Sequence, residues 1–522
     1  MVKRMISKLL VLTVLTVFLA ACSQTSDYIH MIPADATAVV AIDLKSLAGK
    51  AGLNDKENEA AKQKILEVSK SGMNAATFLQ LEKVVNHPGE SGIDVASPVY
   101  GFSAPSFPYP SLIGKVSNEE NLHTLLDAMA KEQICQPVNE TADYRFTTMS
   151  GNLIAFNSSA VIIVSVSGTS STEKAKEGIT ALMKQNADNS IAASNVFRQI
   201  EKQKSDVSFF VSMATFPPLY RNQIGMGLPD EAKPEDIILI GRANAEKGKI
   251  TLQTEYYTDN ETVGTLLKKN RESFGKPNGT FTKYFPASTL LYCNIALKGE
   301  EFYNLLSENE EFRNTVSIAK ADELKELFQS FNGDISAGLI NITMNSVPTF
   351  MLYAEVKNGD VLESLYNKKE SLGLKKGEEI LKLGKDEYVY KIKGRNVFAK
   401  DINVFFGIKE KQMYVTNDEL LYKNIGKTAD KSVKEAPYAS EMKGKSTFVG
   451  INADAIFDLP VVKMLAGLGG PGAKTYLDMA NKVSYLSMSA NGETNEIILC
   501  LKDKDTNALK QVVEFVKQFA GI

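Results

Sequence analysis

Ile32-Pro33-Ala34-Asp35-Ala36-Thr37 runs into Val39-Val40-Ala41-Ile42-Asp43-Leu44-Lys45, and the pattern returns far downstream. There Phe285-Pro286-Ala287-Ser288-Thr289 leads into Tyr292-Cys293-Asn294-Ile295-Ala296-Leu297-Lys298, so Pro33 to Lys45 aligns on Pro286 to Lys298 without a gap. Each is a mostly apolar, β-branched run of strand length placed after a proline, which biases its own predecessor away from helix.

Four further blocks follow in the same order. Asp94-Val95 falls on Asp334-Ile335 and Pro108 on Pro348; Leu112, Val116, Asn118, Leu122 and Leu125 fall on Leu352, Val356, Asn358, Leu362 and Leu365. Tyr144 corresponds to Tyr388, the Phe209 strand to the Phe448 strand, and residues 250–267 to 497–513. A repeat on this scale organises a whole chain. The expected fold is α+β, in two tandem copies of one unit, each a largely antiparallel sheet with helices packed on it. Copy one spans 32–275 and copy two 284–522, joined by 276–283.

Within each copy, helices are expected over 55–86 and 300–331. Asn118 and Asn358 precede apolar residues at helical spacing and read as caps. A meander is expected over 144–149, 152–156 and 161–166, with turns at Gly151 and Asn157-Ser158, and copy two repeats it over 388–414. Leu509, Val512, Val513, Val516 and Ala520 form a stripe expected to face a core.

The amino terminus carries Lys3, Arg4 and Lys8, then an apolar run over 9–19, shorter than the roughly 20 residues of a membrane-spanning helix. With Leu19-Ala20-Ala21-Cys22 behind it, this has the layout of a secretory signal and resembles the lipobox of bacterial lipoproteins. The resemblance implies cleavage after residue 21, acylation of Cys22 and a tether over 22–31, with the membrane as first partner. Ser23 favours the outer membrane over inner-membrane retention. The lone Asp27 matches a surface-export signal poorly, which favours the periplasmic face.

Composition bounds the body. Apolar residues make up 44% and charged residues 23%, ordinary values for a globular chain. Loss of the three signal cations takes the formal charge from −3 to −6. That leaves no basic face for nucleic acid. Beyond Cys22 only Cys135, Cys293 and Cys500 remain, too few for a disulfide framework.

Motifs for chemistry are sparse. The histidines are His30, His87 and His123, without metal-ligand spacing. Cys293 and Cys500 fall within strands, where a buried thiol behaves as a small hydrophobe; Cys135, after a helix, is a candidate for exposure. Ser171/Lys174 and Ser317/Lys320 lack the companion motifs of a serine hydrolase. The glycine cluster Gly467-Leu468-Gly469-Gly470-Pro471-Gly472-Ala473-Lys474 misplaces its lysine for a phosphate loop, and Gly227 lies in the matching loop of copy one. Gly227 and Gly470 thus mark loops for partner contact, as do Phe107 and Tyr109 in the proline-rich 102–110 segment, which should not form a central strand. No cofactor is expected. Sugar platforms favour tryptophan, and the chain has none, which speaks against glycan.

The lipobox, the Pro33-to-Asp43 opening and the duplicated body resemble an uncharacterised family of Bacteroidetes lipoproteins, catalogued as a domain of unknown function. The resemblance implies an envelope location and a two-copy fold and carries no catalytic residue across. The leading expectation is a non-catalytic lipoprotein that binds or scaffolds an envelope protein partner. The alternative is an envelope hydrolase using carboxylates from distant positions, with Asp94 and Asp334 as the first pair to inspect.

Overall fold

A computed structural model describes residues 27–520, apart from 54, 167, 218–232, 234–235, 309–311, 314–317, 345–346, 358, 373, 395–400 and 469–476. Cys22, Gly227, Asn358 and Gly470 lie outside the described residues, as does most of the glycine cluster. The first strands are β1 (Ala38–Ile42), β2 (Val99–Ala104), β3 (Phe107–Lys115), β4 (Asn139–Glu140), β5 (Arg145–Met149), β6 (Asn152–Phe156) and β7 (Ala160–Ser165). β8 (Val207–Ser212), β9 (Ile238–Glu246), β10 (Lys249–Tyr257), β11 (Phe274–Gly275), β12 (Leu291–Lys298), β13 (Phe331–Asn341) and β14 (Thr349–Val356) follow. The last are β15 (Glu378–Gly384), β16 (Glu387–Ile392), β17 (Ile402–Lys409), β18 (Gln412–Thr416), β19 (Thr447–Asn452), β20 (Val483–Asn491) and β21 (Thr494–Leu501).

The α+β class is as expected, but the division into two separate units is not. All 21 strands among the described residues belong to one continuous sheet. Its pairing runs β4-β5-β6-β7-β3-β2-β1-β8-β9-β10 and continues as β21-β20-β19-β12-β13-β14-β18-β17-β16-β15, with β11 beside β12. Each strand pair whose register is resolved is antiparallel. The tandem reading fails because β10 and β21, which end the two aligned segments, pair with each other.

Compactness divides the chain differently again. One unit comprises the described parts of Met1–Phe216, Ile237–Leu252 and Asp505–Ile522; the other those of Pro217–Asp236 and Gln253–Lys504. The closing helices are therefore exchanged. Helix Ala508–Ala520 packs in the first unit against helix Leu44–Lys50 and β9, while helix Glu261–Glu272 packs in the second against β11 and helix Gly299–Glu308.

Docking also rotates the last helix. Its buried face runs through Ala508 and Gln511, whereas Val512 and Val516, expected inward, are 44% and 57% exposed. Polar anchors set that rotation: Lys510 Nζ reaches Asp55 Oδ2 at 2.9 Å, and Lys517 contacts Asn58 Oδ1.

Elsewhere local chemistry explains the elements. Asn118 caps helix Glu119–Lys131 by accepting from the Asn121 amide at 3.0 Å. That helix buries Leu122, Leu125, Leu126 and Met129 against Ile154 and Phe156 of the meander. Ser150 and Gly151, at φ +50° and +81°, join β5 to β6, the signature of a two-residue turn matched to strand twist. The second unit centres on an aromatic core that includes Phe285, Tyr292, Tyr353, Tyr438 and Phe448.

Candidate functional site

The opening motif places a charge clamp at one end of β1. Asp43 caps helix Leu44–Lys50 by accepting from the Ser46 amide at 2.8 Å. From that helix Lys50 Nζ reaches both oxygens of Asp206, at 2.7 and 2.8 Å, and Ser46 Oγ donates to Asp206 at 2.5 Å. At the other end Asp35 accepts from the amide and hydroxyl of Ser106, at 2.9 and 2.6 Å, pinning the turn between β2 and β3.

Between these fixings β1 separates two apolar faces. Val39 is 1% exposed and belongs to the covered face. Val40 faces the other way, because successive side chains of a strand alternate. Register aligns Phe209, Val40, Gly101, Leu112 and Ile163 in one row across β8, β1, β2, β3 and β7. Together with the adjacent row from Val211 to Asn152, they line an open groove of about 590 Å³. Among the described residues its lining contains no ionisable side chain; serine and asparagine supply the polar side chains. Leu112 is 44% exposed within it. Gly101 sets its depth, since a Cβ there would lie 2.9 Å from Val40 Cγ1 and 3.2 Å from Leu112 Cδ2.

The proline-rich 102–110 segment departs from the expected loop. It forms a hairpin inside the sheet. Pro108 and Pro110 are tolerated because β7 pairs with β3 only from Ser111 onward and the β2–β3 register is interrupted by a bulge, leaving no ladder partner on that side to lose. Phe107 is 3% exposed, covered by the helix that carries Gly178, so it displays nothing. Tyr109 is half-buried and meets Phe107 edge-on at 5.1 Å.

The other candidates have local roles. Asp94 accepts from the Ala96 amide, Ser97 Oγ and Lys115 Nζ at 3.0, 3.1 and 3.2 Å. Burial pushes its pKa up, but the Ala96 amide, Lys115 and Ser97 outweigh this and hold it below the ordinary value. Asp334, fully buried, accepts from the Asn278 and Thr280 amides at 2.8 and 2.9 Å and so fastens the 276–283 connection. The two carboxylates belong to different compact units and are committed to turn and loop amides.

His123 lies between Glu120 and Asp127 on its helix, at 3.9 and 3.4 Å. His87 ends helix Ala75–Asn86. His30 sits in the 3-10 turn Asp27–Met31, whose Tyr28, Ile29 and Met31 are buried, so this part of the expected tether is packed. Cys135, expected to be exposed, is 5% exposed and donates to the Leu126 carbonyl at 3.4 Å. Cys135, Cys293 and Cys500 are all free thiols. Burial pushes the Cys135 and Cys293 thiols up. Among the described residues no group of three or more His, Cys, Asp or Glu is placed to hold a metal ion.

Sequence reasoning missed the groove, although it left a signal. Val39-Val40, Phe209-Phe210 and Leu112-Ile113 are adjacent apolar pairs, and a strand apolar on both faces asks for cover on both.

Among known proteins, no curated sequence matches the chain. Solved structures titled crystal form IV and crystal form I of TP0453 match at 12% and 10% identity. They cover 44% and 48% of this chain and 81% and 88% of their own, each with a TM-score of 0.26. At that score neither fold nor function carries over. The chain belongs to the family described as a domain of unknown function (DUF4836), whose model matches residues 28–509.

Proposed function

From membership of a family without an assigned role, we propose that this protein is a lipid-anchored envelope protein that acts by binding. The groove across β8, β1, β2, β3 and β7 carries the reading. It is a concave apolar surface whose lining offers no acid, base or nucleophile beyond serine hydroxyls. Such a surface suits recognition of an apolar partner better than proton transfer.

Lipidation at Cys22 and an outer-membrane, periplasm-facing address belong to the same proposal. The lipobox Leu19-Ala20-Ala21-Cys22 supports them. Origin by duplication is also proposed. The order β5-β6-β7-β3-β2-β1-β8-β9-β10 matches, step for step, β16-β17-β18-β14-β13-β12-β19-β20-β21. Copies that share a sheet and exchange their closing helices account for both the aligned blocks and the continuous pairing.

The test is metabolic labelling with a radioactive fatty acid, followed by membrane fractionation. Label should enter the wild-type chain and be lost in Cys22→Ala, which should leave the membrane fraction. Equal membrane retention of an unlabelled Cys22→Ala chain would refute the anchor.

A further inference from the structure

The geometry points to the occupant of the groove: one fatty acyl chain of a separate lipid molecule, laid across the strands with its headgroup outside. This rests on the binding reading above and names its ligand class.

Length, width and charge each constrain the choice. The groove crosses five strands, roughly 19 Å at about 4.8 Å between neighbours. One leaflet of a bilayer, half of a hydrocarbon core about 30 Å thick, is about 15 Å, so an acyl chain fits lengthwise. The two rows that line the groove are two residues apart along each strand, or about 7 Å. A helix about 10 Å across is too wide to enter. An added β-strand pairs at a sheet edge, whereas this groove lies on a face whose strands are already paired on both sides at the Val40 row.

Charge agrees. The lining holds no ionisable side chain, and its polar side chains, among them Ser103, Ser165 and Asn152, lie in the row next to the apolar one. An uncharged chain matches the floor, and a polar headgroup must remain at the rim. Gly101 at the centre keeps the floor low enough for a methylene chain to lie over Val40 and against Leu112.

The protein's own anchor is the less suitable source. The described chain begins with Asp27–Met31, and Tyr28 packs on Tyr100, 5.8 Å between ring centres. Tyr100 and Gly101 are consecutive in β2, so their side chains leave opposite faces. The amino-terminal segment thus approaches on the side away from the groove.

The chain lacks tryptophan, so a single introduced indole is a clean reporter. In the mature chain with Cys22→Ser, Leu112→Trp places it in the groove. Leu79→Trp, at a helix residue 62% exposed, is the control. The probe is 9,10-dibromostearate below its micellar concentration, with dibromostearoyl lysophosphatidylcholine as a comparison that carries the same chain on a zwitterionic headgroup and dibromobutyrate as a short one.

Saturable quenching is expected for Leu112→Trp and none for Leu79→Trp. The two long probes should bind within about threefold of each other, and the short one at least tenfold more weakly, about 1.4 kcal/mol. Adding Gly101→Leu should weaken quenching at least tenfold. If that variant misfolds by circular dichroism, Ser103→Phe at the exposed rim blocks the same groove. Equal quenching of both reporters, indifference to both blocking substitutions, or no quenching of a folded Leu112→Trp chain would overturn the proposal. Cys22-dependent labelling is read separately, so failure here leaves the anchoring result to stand or fall by itself.

Discussion

Lys50→Met should destabilise the first unit by removing the only cation bonded to Asp206 among the described residues. Asp206 is 2% exposed and receives Lys50 in a fork of 2.7 and 2.8 Å. The substitution leaves it with Ser46 Oγ and the Ala245 amide, at 2.5 and 2.7 Å. Breaking a buried pair by removing one partner costs about 3–5 kcal/mol. The Lys50 side chain is 32% exposed, and two donors to Asp206 remain, which brings the loss below that range, to about 2–3 kcal/mol. At about 2–4 °C per kcal/mol for a domain of this size, the midpoint should fall by roughly 5–10 °C. Urea unfolding followed by circular dichroism, run as a cycle with Asp206→Asn, isolates the pair. Asparagine keeps an acceptor for the Ala245 amide while discarding the charge, so the double variant should be more stable than the sum of the singles predicts by about 1.5 kcal/mol or more. A loss below about 0.5 kcal/mol for Lys50→Met, or strict additivity, would show that the clamp contributes little and that Asp206 is solvated some other way.

Other outcomes follow from the same contacts. Phe107→Ala should cost about 3–5 kcal/mol, since the ring is covered; a loss under 1 kcal/mol by urea unfolding would return that residue to the surface. Cys135 should resist iodoacetamide at neutral pH and react on unfolding, because burial raises its thiol pKa and thins the thiolate; mass spectrometry of the labelled peptide reads this, and prompt labelling of the native chain counts against it. The lowered pKa of Asp94 contributes stability that is present above the ordinary carboxylate range, near pH 4, and is lost as pH falls through the folded value. In Lys115→Met the folded value moves back toward the ordinary one, so the acid-side loss should be smaller and complete at higher pH in denaturation titrations, and an unchanged profile would remove Lys115 as a cause.

Much of the local structure is legible in the sequence. The strand-length runs that follow Pro33 and Pro286 appear as Ala38–Ile42 and Leu291–Lys298, and the meander and the Asn118 cap fall where periodicity and turn chemistry put them. The 55–86 helix is interrupted between Lys70 and Ala75, near Gly72, as a glycine inside a helical pattern allows. What could not be read is partner choice. Blocks 250–267 and 497–513 carry the same strand-then-helix signal, and nothing local says which unit each will complete. The groove was hidden for a related reason: its lining takes two or three residues from each of five strands, and Asn152 from a sixth, scattered between Ala38 and Val211, and no motif spans them. The 102–110 segment departs from its sequence pattern because a proline is excluded from a sheet only where a ladder partner stands opposite it, which its neighbours along the chain do not reveal.

The exchanged closing helix sets a clock on biogenesis. Lys510 and Asp55 meet across 455 residues of chain, so the first half to be made is the last to be finished. At about 5–20 residues per second, ribosomes need roughly 25–90 s to supply the missing piece. Until then helix Leu44–Lys50, and β9 once it has been made, lack this neighbour, and a product cut short before Asp505 never acquires it. A chain that includes helix Ala508–Ala520 therefore covers helix Leu44–Lys50 and β9, and one cut before it leaves them open to proteases.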